Sequence, residues 1–126
     1  MRKVDFTIAL QLKELGFTEA TRDFYDSKGQ AHSREISQDW NTEYNDEKEY
    51  RVSCPFIPQV FDWLRIKHDL NIYFSFGYDE HNPKSNFSWS FGMFDLRSDT
   101  EYKSEERFTY YEQIEYYALG RGLKRI

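Results

Sequence analysis

Two neighbouring runs of the sequence alternate between apolar and small or polar residues with a period of two. Ile72, Phe74, Phe76 and Tyr78 alternate with Tyr73, Ser75 and Gly77; Phe87, Trp89, Phe91 and Met93 alternate with Ser88, Ser90 and Gly92. Successive strand residues point to opposite faces, so this pattern requires two half-buried strands. The polar segment Asp79-Glu80-His81-Asn82-Pro83-Lys84-Ser85-Asn86 lies between them, and the simplest joint structure is an antiparallel hairpin with one aromatic face. Phe74, Phe76, Trp89 and Phe91 are therefore expected to be mostly buried on that face, and Phe76→Ala to cost about 3–5 kcal/mol.

A hairpin with one apolar face needs a cover, and three segments have helical spacing. Phe6 to Leu15 carries Phe6, Ala9 and Leu10 at spacings of three and four, and Gly16 follows as a stop. Pro55 to Asp69 reads as a second helix with Pro55 at its first position and Arg65, Lys67 and His68 at its C-terminal end. In the last segment Thr109 is expected to cap a third helix, with Glu112 completing a capping box. Its stripe is Tyr111, Ile114, Ala118, Leu119, Gly122, Leu123 and Ile126. Gly122 falls on the buried side of that stripe, and Gly120 is expected to kink or fray the helix. Shorter strands are expected at Phe24-Tyr25, at Arg34-Glu35-Ile36 and near Tyr102, with turn chemistry at Asp26-Ser27-Lys28-Gly29.

The fold class that follows is α+β: three helices packed on a small, mostly antiparallel sheet of about three to five strands. A chain of 126 residues is the size of one domain, and residues 1–126 are expected to form a single one. Aromatics supply 19 % of the chain, so rings rather than aliphatics should build the core, with many tyrosines at its margin.

Charge and cysteine content restrict function. The net charge of −5 disfavours direct binding to nucleic-acid phosphate. Cys54 is the only cysteine, which excludes an internal disulfide and a cysteine-rich zinc site. A small buried residue beside Pro55 is the expected role of Cys54, ahead of a nucleophile at a helix start. No apolar run approaches the ~20 residues of a membrane span, and the opening residues do not form a secretory signal. The expected location is the cytoplasm, with no membrane partner.

No nucleophile elbow, phosphate loop or dinucleotide fingerprint is present, and His32, His68 and His81 lack metal-ligand spacing. No catalytic residue, metal ligand or cofactor is therefore expected. Asp79, Glu80 and His81 form the best local cluster for a rival enzymatic reading; a solvated hairpin loop explains them more simply. Residues Asp39 to Glu49 carry five carboxylates against Lys48 and are punctuated by aromatic rings. This segment reads as a functional surface loop. Its weak binding candidates are Trp40, Glu43, Tyr44, Asp46, Glu47 and Glu49. The tyrosines of the last helix, Tyr110, Tyr111, Tyr116 and Tyr117, suit either an interface or a wetted core margin.

The segments Leu12-Lys13-Glu14-Leu15-Gly16-Phe17, Trp63-Leu64-Arg65-Ile66-Lys67-His68 and Tyr111-Glu112-Gln113-Ile114, with the ending Gly122-Leu123-Lys124-Arg125-Ile126, carry a resemblance. Taken together they resemble a group of small proteins encoded by bacteriophages and prophages. Ile114 stands where that pattern has a small residue, and Gly120 is an extra glycine. The resemblance implies a phage accessory protein in the host cytoplasm and brings no catalytic residues. With it, the expected function is non-catalytic binding of a protein partner. One concrete form is inhibition of a host defence nuclease, with carboxylates imitating phosphates toward a basic nucleic-acid-binding protein. The rivals are a small enzyme with an acidic and histidine site on a loop, and a virion or assembly component.

Overall fold

Residues 2–37, 40–41, 49–78 and 86–126 are described in a computed structural model of the chain. They contain three helices and six strands in two three-stranded antiparallel sheets, an α+β architecture. The strands are divided between two compact units, Met1–Trp63 and Leu64–Ile126, where one sheet was expected.

In the first unit, helix α1 (Phe6–Glu14) starts where the Asp5 carboxylate accepts the Ile8 N–H at 2.9 Å. An acceptor there satisfies one of the orphan donors of the first turn. The helix ends as its glycine stop requires. Gly16 has φ 87°, and the N–H of Phe17 turns back to the Leu12 carbonyl at 3.0 Å. Ile8, Ala9 and Leu12 are buried.

The strands β1 (Thr21–Asp26) and β2 (Ala31–Ser37) flank a tight turn. One Asp26 carboxylate oxygen accepts the N–H groups of both Lys28 and Gln30, and Gly29 takes the left-handed conformation the turn demands. The short strand β3 (Arg51–Ser53) pairs on the other side of β1, giving the order β2-β1-β3. The core of this unit includes Val4, Leu12, Phe17, Phe24, Val52 and Ile57.

Helix α2 (Ile57–His68) begins two residues later than Pro55. The reason is competition from the N-terminal segment. The Pro55 carbonyl accepts the Val4 N–H at 3.1 Å, the Ile57 N–H goes to the Arg2 carbonyl at 2.8 Å, and Phe56 bridges Lys3. These pairings hold residues 55 and 56 in an extended conformation. Pro58 then occupies the first turn, where its missing N–H costs nothing.

In the second unit, Asp69 at φ 53° turns the chain from α2 straight into β4 (Leu70–Gly77). Strands β5 (Ser88–Asp95) and β6 (Thr100–Lys103) complete a meander of order β4-β5-β6. The hairpin register is unbroken, with Phe74 opposite Phe91 and Phe76 opposite Trp89. Helix α3 (Tyr111–Arg125) lies on the face that carries these rings.

Three expectations are corrected in this unit. The N-cap of α3 is Tyr110, with no side-chain cap hydrogen bond, so Thr109 and Glu112 form no capping box. Thr109 stands one residue too early. Gly120 does not interrupt the helix, which runs continuously to Arg125. Phe91 is buried at 2 % exposure, but Phe76 is 55 % exposed. The helix explains the last difference. Its start touches Phe74 and Trp89 through Tyr111, and its end meets Ile72 at Gly122. Eleven residues of helix span about 16 Å, and the hairpin continues beyond that cover. Phe76→Ala is therefore expected to cost much less than a core substitution.

Candidate functional site

Past the start of α3 the hairpin presents a continuous set of rings. Tyr78 and Phe87 meet at 3.9 Å between centroids, Phe87 and Phe76 at 5.6 Å, and Phe76 and Trp89 at 5.0 Å. Tyr111 closes the set, edge-on to Trp89 at 5.0 Å and to Phe74 at 5.4 Å. Phe76, Tyr78 and Phe87 are each more than half exposed, and Tyr110 more so. Single exposed apolar residues are ordinary on protein surfaces, but contiguous ones are the material of interfaces.

The backbone beneath these rings is fixed. The Arg107 guanidinium donates to the Gly77 carbonyl at 2.6 Å, to the Ser88 carbonyl at 3.2 Å and to the Ser88 hydroxyl at 2.7 Å. One planar group thus ties both strands together where the ladder ends. The bridge between Trp89 and Phe108, with hydrogen bonds at 2.6 and 2.9 Å, holds the next segment against β5. Rings on a fixed frame lose little further freedom when a partner covers them.

The opposite face of the same sheet is polar. Tyr73, Ser75, Ser90, Lys103, Ser104 and Arg107 border an open groove of about 780 Å³, whose lining also includes Phe76 and Tyr78 of the aromatic row. Tyr73 donates its hydroxyl proton to Glu101 at 2.5 Å, and that bond pushes the Tyr73 pKa up to about 12. A phenol held this firmly in its neutral form is a positioned donor and a poor acid.

The first unit contains a smaller cavity of 390 Å³, bordered by Lys3, Arg22, Asp23, Ser33, Cys54 and Gln59. Two of its charged groups, Lys3 and Asp23, satisfy one another. The Lys3 ammonium lies 2.5 Å from the Asp23 carboxylate. Burial pushes the Asp23 carboxyl up, but hydrogen bonds from Lys3 and Ser33 outweigh it and leave its pKa below the ordinary value. Burial pushes the Cys54 thiol up, so it is a packed, neutral group. The Tyr25 hydroxyl donates to the Val4 carbonyl at 2.6 Å and is also raised, chiefly by burial.

The binding candidates read from the sequence fall in different places. Glu43, Tyr44, Asp46 and Glu47 lie outside the described residues, as do Asp39, Asp79, Glu80 and His81. Glu49 is described and exposed. Trp40 is only 7 % exposed. Its indole N–H donates to the Thr21 carbonyl at 2.8 Å, and its ring packs on Phe24 at 4.5 Å. Trp40 is thus a core residue rather than a loop ring offered to a partner. Asn41 beside it is buried and bonds both the Phe17 carbonyl and the Ser53 N–H. Of the other two histidines, His32 pairs with Asp26 at 2.8 Å, and burial lowers the pKa of His68.

Sequence reasoning missed the exposed ring cluster because it placed Phe76, with Phe74, Trp89 and Phe91, on a mostly buried face. The available signal was length. The alternation extends through Tyr78 and Phe87, beyond what one short helix can cover. The tyrosines of the last helix divide between both roles foreseen for them. Tyr110 and Tyr116 are exposed, whereas Tyr117 packs on Phe91 and Phe108 and donates to Glu106 at 3.1 Å. No helix among the described residues is long and apolar enough to cross a membrane. No known protein family, curated protein or solved structure matches the chain.

Proposed function

We propose that this chain is a non-catalytic accessory protein of phage or prophage type, and that it works by binding another protein through the aromatic end of its second sheet. The observation that carries the reading is the row Tyr78, Phe87, Phe76 and Trp89, in ring-to-ring contact, of which Tyr78, Phe87 and Phe76 are more than half exposed. Aromatic side chains supply large contact area with few rotatable bonds and dominate binding energy at protein interfaces. The net charge of −5 makes a basic partner, such as a nucleic-acid-binding protein of host defence, the first class to try.

The test is capture from host cytoplasm with the purified chain and with a Phe76→Ser, Phe87→Ser variant of equal thermal stability. A partner retained by the wild type and lost by the variant supports the reading. A partner retained equally by both removes the aromatic end from the interaction. Turnover of a substrate by the purified chain alone would move the enzymatic reading to the front.

A further inference from the structure

Three rows of residues cross the polar face of the second sheet. Tyr73, Gly92 and Lys103 stand opposite one another in the first row, Ser75 and Ser90 in the second, and Gly77 and Ser88 in the third. Successive rows on one face of a sheet are about 7 Å apart. The second row carries only small hydroxyl side chains, so it forms the floor of the groove of about 780 Å³. Tyr73 and Lys103 border that floor on one side. The Arg107 guanidinium, bonded to Gly77 and Ser88, borders it on the other.

The Tyr73 ring lies flat on this face. A Cβ built on Gly92 would be equally near Cζ and Oη of the phenol and further, at 2.7 Å, from Cε1. An edge-on ring would bring a Cε atom nearer than Cζ, so the ring rests face-down on Gly92. Its hydroxyl reaches over β5 to Glu101 on β6 and is held there at 2.5 Å. The second face of the ring is therefore turned away from the sheet, on the side of the groove that Tyr73 lines. The polar groups around it include both donors and acceptors. Lys103, Arg107 and Glu105 line the groove and Glu101 stands beside it, so positive and negative charges balance. Among the described residues no hydrogen bond or ion pair engages the Lys103 ammonium, the Glu105 carboxylate or the side chains of Ser75 and Ser90. Ser75, Lys103 and Glu105 are exposed, and Ser90 is half-buried.

We propose that this groove binds a neutral saccharide, with the C–H face of one sugar ring on Tyr73 and sugar hydroxyls on Ser75, Ser90, Lys103 and Glu105. A sugar ring presents weakly positive C–H groups on a face and hydroxyls around its edge. The C–H groups suit the negative face of an aromatic ring. Each hydroxyl both donates and accepts, so the same ligand satisfies an ammonium, a carboxylate and serine hydroxyls together. Other ligand classes fit less well. A phosphate or carboxylate would meet Glu105 and Glu101 as well as the two cations. A purely apolar ring would take the charged groups from water without giving them partners. A few placed polar groups around one ring surface, in a groove of this volume, match the composition of small-ligand sites.

An NMR titration of the full chain tests this with glucose, galactose, N-acetylglucosamine, maltotriose, chitotriose and, as a separate arm, inorganic phosphate. At least one saccharide is expected to shift the amide resonances of Ser75, Ser90 and Lys103. Saturation of the Tyr73 ring protons should pass to the C–H protons of that sugar. Tighter binding of a trisaccharide than of its monosaccharide would identify a glycan chain as the source, and equal binding a free sugar. Tyr73→Leu removes the ring and should weaken binding by up to about tenfold. Lys103→Ala and Glu105→Ala, at exposed positions, should each weaken it several-fold. If Tyr73→Leu does not fold, the saturation transfer and the two exposed variants decide. No shift with any of the saccharides at about 0.1 M, where even a very weak site would fill, overturns the proposal. So do shifts confined to Phe76 and Phe87, phosphate binding at the same amides without saccharide binding, or an affinity unchanged in both Lys103→Ala and Glu105→Ala.

Discussion

The ring of Tyr73 lies directly over Gly92 on the neighbouring strand, so close that a Cβ at position 92 would collide with Cζ and Oη of the phenol. A glycine in a strand interior weakens the sheet by itself, and an aromatic ring laid over it from the opposite strand restores the lost contact. The hydrogen bond from Tyr73 to Glu101 on β6 extends this arrangement across all three strands. Gly92→Ala should therefore destabilise the chain by about 1–3 kcal/mol, because the ring must leave its place. In a Tyr73→Ala background the same substitution should be nearly neutral or stabilising. A double-mutant cycle by urea denaturation measures the coupling; additive effects would show that the ring moves freely.

Two glycines of α3 make a second pair of opposite expectations. A Cβ on Gly120 would meet nothing within 4 Å, so Gly120→Ala should raise stability by about 0.5–1 kcal/mol through helix propensity alone. A Cβ on Gly122 would stand 2.7 Å from Ile72 Cδ1 and 3.3 Å from Leu64 Cδ1. There the same gain is offset by displacement of Ile72, and the bulkier Gly122→Val should lose about 1–3 kcal/mol. Thermal melts of the three proteins check the order Gly120→Ala above wild type above Gly122→Val.

Phe91 and Phe76 occupy the same face of the hairpin, yet substitutions at them should differ several-fold. Phe91 is packed among Tyr102 and Tyr117, and Phe91→Ala should cost about 3–5 kcal/mol. Phe76 is more than half exposed, and Phe76→Ala should cost about 1 kcal/mol or less. Equal losses in denaturant titrations would mean that Phe76 is covered in solution.

How far the residues alone reveal this molecule depends on whether a local pattern or a distant partner decides each feature. The hairpin, α1 with its Gly16 stop and the buried side of α3 at Gly122 were legible, because period, spacing and turn residues are local. The start of α2 was not, since pairing of Arg2 and Val4 with Pro55 and Ile57 comes from residues some fifty positions away. Trp40 misled for a related reason. Its neighbours in sequence are polar, but its hydrogen bond to Thr21 and its packing on Phe24 place the ring inside. The candidate site was half legible. The aromatic strands were evident, whereas the point at which α3 stops covering them is set by tertiary packing.

The contact between Lys3 and Asp23 supplies a prediction whose sign depends on pH. The Asp23 side chain is 7 % exposed and that of Lys3 45 %. The carboxyl pKa lies below its ordinary value of 3.8, so its contribution to stability is present above that value and fades as pH falls through the lowered pKa. The Lys3 pKa is raised above 10.5 by its bond to Asp23, so its contribution is present below that value and fades above it. Between these limits the pair is fully formed. Lys3→Met leaves the buried carboxylate with Ser33 but without its cation, and burial then pushes the Asp23 pKa upward. At neutral pH that variant should lose about 1–3 kcal/mol. As pH falls toward about 3 the carboxyl takes up a proton and no longer needs a cation, so the gap to wild type should narrow. Lys3→Arg should follow the wild type more closely across the range. Urea denaturation of the three proteins between neutral pH and about pH 3 reads the gap directly. A gap of constant size would assign the loss to packing of the lysine stem on Phe56, over whose ring the ammonium lies at 5.5 Å, rather than to the charge on Asp23.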